Sequence, residues 1–317
     1  MKTDISTILL ATDFLPGSRL ALDHAAALAK KLNAKLLIVN ALELGPEANT
    51  VEKVEHIPSR TRREAEAKLQ ALIMESKRAG VSTDSVLVEG SVQNAILSAI
   101  AQFKADLLVM GTQGLHRGIE HLLLGSNVEG LMLSAPCPML TVGPRVPAVT
   151  DLGAGVKKIV YISNLRPAAA AAAPFALELS QNLHSDIEIY QVAKGVDQGA
   201  KDPHLRGMVE EYCSRLRSLV PKVREEWCST EFQMSRIISP QAVLEKSMDP
   251  SIRMVLGVQD GHFWERHLHT SYPYRLLANA ACPIITVRSQ GKWSADYVEE
   301  EQRVTTEKSY VVMAAKK

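Results

Sequence analysis

Parts of this chain are written twice, and that repetition limits the folds open to it more than any other feature. Ile8-Leu9-Leu10-Ala11-Thr12-Asp13-Phe14 is echoed by Ile159-Val160-Tyr161-Ile162-Ser163-Asn164-Leu165. Leu28 to Asn40 aligns without a gap on Leu179 to Gln191, and Ala135 to Val142 returns as Ala281 to Val287. A length of 317 residues fits two units of roughly 150 each. Gly143 to Val156 (GPRVPAVTDLGAGV) lies between them, rich in the Pro and Gly of a linker. The expected division is residues 1–144, a linker at 145–156, a second unit at 157–289 and a tail at 290–317.

Alternating element types set the fold class. Short apolar strands are expected at Thr7–Ala11, Lys35–Asn40, Ser85–Val88, Asp106–Met110 and Met139–Val142. Helix-period patterns fall between them at Ser18–Leu32, Arg60–Ala79, Val92–Phe103 and Ser126–Leu133. Gly80 suits a left-handed helix cap, and Ser91 suits an N-cap. Strands apolar on both faces belong in a buried parallel sheet, with right-handed crossovers through the helices. The expected architecture is α/β, with two tandem, open, doubly wound parallel sheets of five strands. Ligands bind such sheets at the carboxyl ends of the strands, near the point where strand order reverses. Asp13, Val39-Asn40 and Gly111 all fall at strand carboxyl ends.

The stretch Met110 to Ser126 (MGTQGLHRGIEHLLLGS) carries the chemistry. A strand runs into a glycine-rich loop and then a helix start. Gly111, Gly114 and Gly125 let backbone pass close to a bulky group with N–H donors free to face it. Gly125-Ser126 opens a helix whose positive end favours an anion. Main-chain cradling of phosphate is one reading; a plain tight turn is the other.

Composition narrows the function classes. The charged fraction is 22% and the net charge +1, giving no electrostatic case for a nucleic-acid partner. No apolar run reaches membrane length, and MKTDIST enters a strand with no room for a signal peptide, so the expected place is the cytoplasm. The four cysteines form no CxxC pair, and Cys137 and Cys282 read as packing residues before matching strands. His262, His267 and His269 lack a metal-ligand spacing, so no metal site is expected, and His116 and His121 read as solvated loop residues. Neither GxxxxGK[ST] nor GxSxG occurs. The helix at Arg60–Ala79 reads as a solvated amphipathic helix, and Leu42 to Ser59 as a lid or an ordinary surface loop.

At these residues the sequence resembles the universal stress protein family in its tandem-domain form. ILLATDFLPGSRLALDHAAALA is similar to the family's first strand and helix, Val109-Met110-Gly111-Thr112 to its fourth strand end, and LLLGSNVEGLMLSAPCPMLTV to its closing helix and strand. The resemblance implies a Rossmann-like fold of the adenine nucleotide α-hydrolase type. Nucleotide-binding members carry Gly-x2-Gly-x9-Gly-(Ser/Thr); here Gly111-x2-Gly114 fits, and ten residues, Leu115 to Leu124, precede Gly125-Ser126. The resemblance further implies ATP, with Mg as its companion, in the first unit. Ala11, Thr12 and Asp13 would lie at the adenine or ribose end, with Val39 offering main-chain groups to the base. Met110, Gly111, Thr112 and Gly114 would bring amides to ribose and phosphates, and Gly125, Ser126 and Asn127 would hold the phosphate tail. A carboxylate such as Asp13 is acceptor-only, which suits ribose hydroxyls or an amine, though a turn cap needs the same chemistry.

The second unit reads as degenerate. Asp13 becomes Asn164, Gly114 becomes Asp260 and Gly125 becomes Thr270, while Gly257 and Ser271 remain. Asp260 would set a negative charge beside a triphosphate, a cost of roughly a kcal/mol or more. No cofactor is expected there. Three functions stay open: a nucleotide-binding stress-response protein with one competent site and at most slow hydrolysis, a nucleotide-free interaction module, and an enzyme of the wider superfamily. The expected partner is adenine nucleotide, without nucleic acid or membrane. The units are expected to pair through their last strands, within one chain or between two chains.

Overall fold

The computed structural model describes residues 5–43, 59–112, 125–149, 156–163, 167–192, 233–238, 240–258 and 272–288. Gly114, His116, His121, Asn164, Cys213, Cys228, Asp260, the 262–269 histidines, Thr270, Ser271 and the tail lie outside them, as does most of the Leu42–Ser59 connection. The strands are β1 (Thr7–Ala11), β2 (Lys35–Leu42), β3 (Thr83–Glu89), β4 (Leu107–Gly111) and β5 (Met139–Val142), then β6 (Lys158–Ser163), β7 (Asp186–Val192), β8 (Gln233–Ile238), β9 (Ile252–Val258) and β10 (Ile284–Arg288). The helices are α1 (Pro16–Leu32), α2 (Ser59–Arg78), α3 (Val92–Phe103), α4 (Ser126–Ser134), α5 (Pro167–Leu183), α6 (Pro240–Lys246) and α7 (Tyr272–Asn279).

The expected five-stranded sets are both present, fused into one ten-stranded sheet of order β3-β2-β1-β4-β5-β10-β9-β6-β7-β8. Pairing is parallel within each set and antiparallel where β5 meets β10, with Ile284 opposite Thr141 and Thr286 opposite Met139. The seam carries a reciprocal pair of hydroxyl bonds. Thr141 Oγ1 donates to the Ile284 carbonyl at 3.1 Å, and Thr286 Oγ1 to the Met139 carbonyl at 3.4 Å. These buried hydroxyls are satisfied on a carbonyl of the opposite strand, as burial requires.

The core continues across the seam on both faces. One face packs α1, α2 and α5 on residues such as Leu10, Ile38, Val109, Tyr161 and Ile285. The other packs α3, α4, α6 and α7 on residues such as Leu9, Leu37, Leu108, Met254 and Ile284. Alternate residues of each strand feed opposite faces, which is why the strands read as unbroken apolar runs. α1 buries a stripe of small residues, Ala21, Ala25, Ala26 and Ala29, with Leu22 and Leu28.

The aligned stretches share their backbone geometry. Asn33 ends α1 at φ 52°, and its counterpart His184 follows α5 at φ 51°. The next amides close matching bonds, Ala34 N to Ala29 O at 2.8 Å and Ser185 N to Ser180 O at 2.9 Å. This left-handed turn drops the chain from helix into strand.

A histidine stitches the two halves together. His24 of α1 is buried, and its Nε2 lies 3.0 Å from the Pro147 carbonyl. A carbonyl only accepts, so Nε2 carries the proton and Nδ1 is left as an acceptor. Arg253 of β9 donates to it through Nη2 at 3.3 Å, and Nη1 donates to the carbonyls of Ile252 and Pro250. Burial, then the Arg253 charge, lowers the His24 pKa from 6.5 to about 4. Burial likewise lowers Arg253 to about 10 and pushes the Cys282 thiol up to about 12. Cys137 and Cys282 are both buried, as packing residues are expected to be.

Candidate functional site

Strand order reverses between β1 and β4, where the chain leaves β1 toward α1 on one face and β4 toward α4 on the other. Three segments meet at the carboxyl ends of these strands. They are the turn Thr12 to Leu15, the β4 end Met110 to Thr112, and the start of α4.

The β1–α1 turn is held by a local network. Asp13 Oδ1 accepts from the Leu15 amide at 3.0 Å and from the Ser18 hydroxyl at 2.7 Å. Ser18 Oγ accepts in turn from Thr12 Oγ1 at 3.0 Å, and Thr12 Oγ1 accepts from the Phe14 amide at 3.0 Å. Asp13 is therefore a turn cap through one oxygen, while its exposed side chain keeps Oδ2 without a partner among the described residues. Phe14 sits at φ 64°, an uncommon region for a bulky residue that costs of order 1–3 kcal/mol. Its ring is half-buried against the core with Lys68 Nζ 5.3 Å from the centroid. The helix then begins at Pro16, earlier than its apolar stripe, because Pro is at home in a first helical turn where the missing N–H has no partner to lose.

Gly111 has a packing duty inside the fold. A Cβ there would lie 2.6 Å from both the carbonyl carbon and oxygen of Gly17, so the missing side chain admits the first turn of α1. Gly125 is the reverse case. Its φ of −65° and ψ of 143° suit any residue, and a Cβ would come no nearer than 3.8 Å to the Thr112 carbonyl. Neither a left-handed conformation nor packing among the described residues demands glycine there.

Main-chain bonds return the loop to its origin. The Thr112 amide donates to the Val142 carbonyl at 3.1 Å, and the Gly125 amide to the Thr112 carbonyl at 3.2 Å. α4 thus starts beside the end of β4, although twelve residues separate Thr112 from Gly125. Among the described residues no side chain caps α4, whose first amides, those of Ser126 and Asn127, lie at its positive end. Gln93 of α3 lies against the same turn. Its Nε2 donates to the Ser126 carbonyl at 3.5 Å, and its amide fills the space a Cβ on Gly130 would take.

Ala11 and Met110 are buried strand ends that support this crevice, and Thr112 is buried too. The Val39 carbonyl is engaged inside the sheet, accepting from the Thr12 amide at 2.9 Å. The next residue, Asn40, carries a signal that sequence reading passed over. It is 6% exposed, donates through Nδ2 to the Thr12 carbonyl at 2.8 Å, and leaves Oδ1 unbonded among the described residues. Ser91 occupies the N-cap position of α3, yet its hydroxyl makes no capping bond; the Val92 amide reaches the Glu43 carboxylate at 3.4 Å instead. Among the described residues no cluster of three His, Cys, Asp or Glu is placed to hold a metal, and no helix is long and apolar enough to cross a membrane.

The geometry gathers a helix start, a strand end and a capped turn at a topological switch point. Comparison with known proteins assigns it a family. The model described as the universal stress protein family matches residues 5–143. A universal stress protein of Thermus aquaticus is 39% identical over 138 residues, which cover 43% of this chain and 97% of that protein. The chain belongs to the universal stress protein family. A universal stress protein of Methanocaldococcus jannaschii is 31% identical over 137 residues, covering 80% of its length. A solved universal stress protein from Archaeoglobus fulgidus DSM 4304 covers 91% of this chain and all of its own, with a TM-score of 0.66 and 17% identity. At that identity it establishes shared architecture alone. That architecture runs through both halves, whereas the family model stops at residue 143.

Proposed function

We propose that the first half of this universal stress protein binds ATP at the β1–β4 switch point and acts in stress response through ligand-dependent conformation or association. The observation that carries this reading is the uncapped start of α4, returned by the Thr112–Gly125 bond to the strand end beside the Asp13 turn. An anion there meets oriented amides and the positive end of a helix. Gly125, with no described residue crowding its Cα, fits a close-approaching phosphate. Asp13 Oδ2 is left to accept from ribose hydroxyls or an amine. Gly114 adds a further amide from the loop, and Mg accompanies the phosphates as their counter-ion. In this reading residues 1–144 form the binding unit, and 157–289 a partner unit whose Asn164, Asp260 and Thr270 no longer suit a triphosphate.

A second reading, a nucleotide-free interaction module, draws support from Gly111, which is glycine for the sake of packing on Gly17. The two readings part in a simple experiment. Denatured purified protein should release about one ATP per chain, and added ATP at a hundredfold excess over Kd should stabilise the fold by about 2.7 kcal/mol. Gly114→Asp should abolish the binding and leave the melting temperature of the nucleotide-free protein unchanged. Absence of both released nucleotide and stabilisation would favour the module.

A further inference from the structure

Asn40 holds an acceptor that no described residue meets. Its side-chain amide is planar, and Nδ2 is committed to the Thr12 carbonyl at 2.8 Å. That bond fixes which end of the amide faces which way, because turning it over would set two acceptors against each other. Oδ1 is consequently an obligatory acceptor, shielded from water and without a hydrogen-bond partner among the described residues. A buried acceptor left unmet costs about 1–3 kcal/mol. A leucine would fill similar volume at this strand end without that cost. The bond to Thr12 accounts for Nδ2 alone; Oδ1 still calls for a donor.

Its position says where the donor comes from. Asn40 lies near the carboxyl end of β2, one residue beyond Val39, whose carbonyl pairs with the Thr12 amide. Both polar ends of Thr12 are thus tied to β2, and Thr12 leads directly into Asp13. The idle oxygen therefore stands beside the turn assigned above to the base and ribose end of a nucleotide.

We propose that Asn40 Oδ1 reads the base, accepting a hydrogen bond from the exocyclic amine of a 6-aminopurine and so selecting it over purines that lack that amine. This inference rests on the nucleotide-binding reading and adds to it the residue that sets base preference. Because Oδ1 is shielded, the donor meets it only as the wall around it yields. The bond then forms in a low-dielectric setting where a mismatch leaves the acceptor unpaired.

The test compares ATP with purine riboside 5′-triphosphate, which differs only in lacking the amine, by calorimetry on the full chain. The wild type should prefer ATP by about fivefold or more. In Asn40→Leu the ratio should collapse toward one, even if lost support for Thr12 weakens both ligands alike. Inosine 5′-triphosphate, which would set a carbonyl oxygen against Oδ1, should bind the wild type more weakly than ATP by a wider margin than the riboside does; an affinity equal to that of ATP overturns the assignment, and this arm decides the matter if the leucine variant does not fold. A wild-type ratio near one, or a ratio unchanged in Asn40→Leu, overturns the assignment and leaves Asn40 a support for the turn. Binding of neither triphosphate by the wild type overturns the nucleotide reading itself, and this inference with it.

Discussion

Acid should loosen the junction between the halves at a single identifiable group. His24 is neutral in the fold, with its Nε2 proton on the Pro147 carbonyl and its Nδ1 accepting from Arg253. A proton on Nδ1 would remove that acceptor and place a second cation against the guanidinium. The pKa falls from 6.5 to about 4 on folding, so the unfolded chain binds the proton more readily. Stability from this group is intact above pH 6.5, declines as the pH falls, and is fully lost below about 4. At about 1.36 kcal/mol for each step in pKa, the total is of order 3 kcal/mol. Urea unfolding at several values between pH 7.5 and 4 would measure it, comparing wild type with His24→Gln. The glutamine variant should be the less stable at neutral pH and lose less on acidification, the difference between the curves tracking His24 because the carboxylates are common to both. Parallel curves would refute the reasoning. So would a His24 imidazole titrating near 6.5 by NMR. Arg253→Met should move that titration upward by removing the neighbouring charge.

The two glycines of the crevice should separate by assay. Gly111→Ala sets a Cβ 2.6 Å from Gly17 backbone atoms that cannot swing aside, and should lower stability by about 1–3 kcal/mol in thermal unfolding. Gly125→Ala meets no described atom closer than 3.8 Å and should unfold within about 0.5 kcal/mol of the parent, yet bind ATP more weakly in calorimetry. Asp106 is buried at the amino end of β4, and its Oδ2 accepts from the Ser6 amide at 3.0 Å, the Ser6 hydroxyl at 2.8 Å and the Thr7 amide at 3.1 Å. Asp106→Ala strands these donors and should cost about 2–4 kcal/mol by denaturant unfolding.

Much of this architecture is legible in the sequence because periodicity is a property of neighbours along the chain. β1, α3 and β5 fall where their apolar patterns place them, and Gly80 ends its helix at φ 82°. The misses arise where one element answers to another. β2 runs on to Leu42 because β3 extends alongside it to Glu89. The Ser91 hydroxyl gives up its capping bond to a carboxylate from the end of β2. The packing of Gly111 against Gly17 is likewise invisible along the chain. Asn40 is legible in the sequence only as part of a strand end, and the bond to Thr12 is what exposes its idle oxygen. The His24–Arg253 contact joins residues 229 positions apart, beyond the reach of any local pattern.

The antiparallel join between β5 and β10 has a directional meaning. Parallel strands on either side of it run opposite ways, so the carboxyl ends of the first five lie on one rim of the sheet and those of the last five on the other. Two crevices built on the same plan would therefore open toward opposite poles, too far apart to grip one small molecule together. A guest at one pole can be felt at the other only mechanically, through the sheet the two halves share.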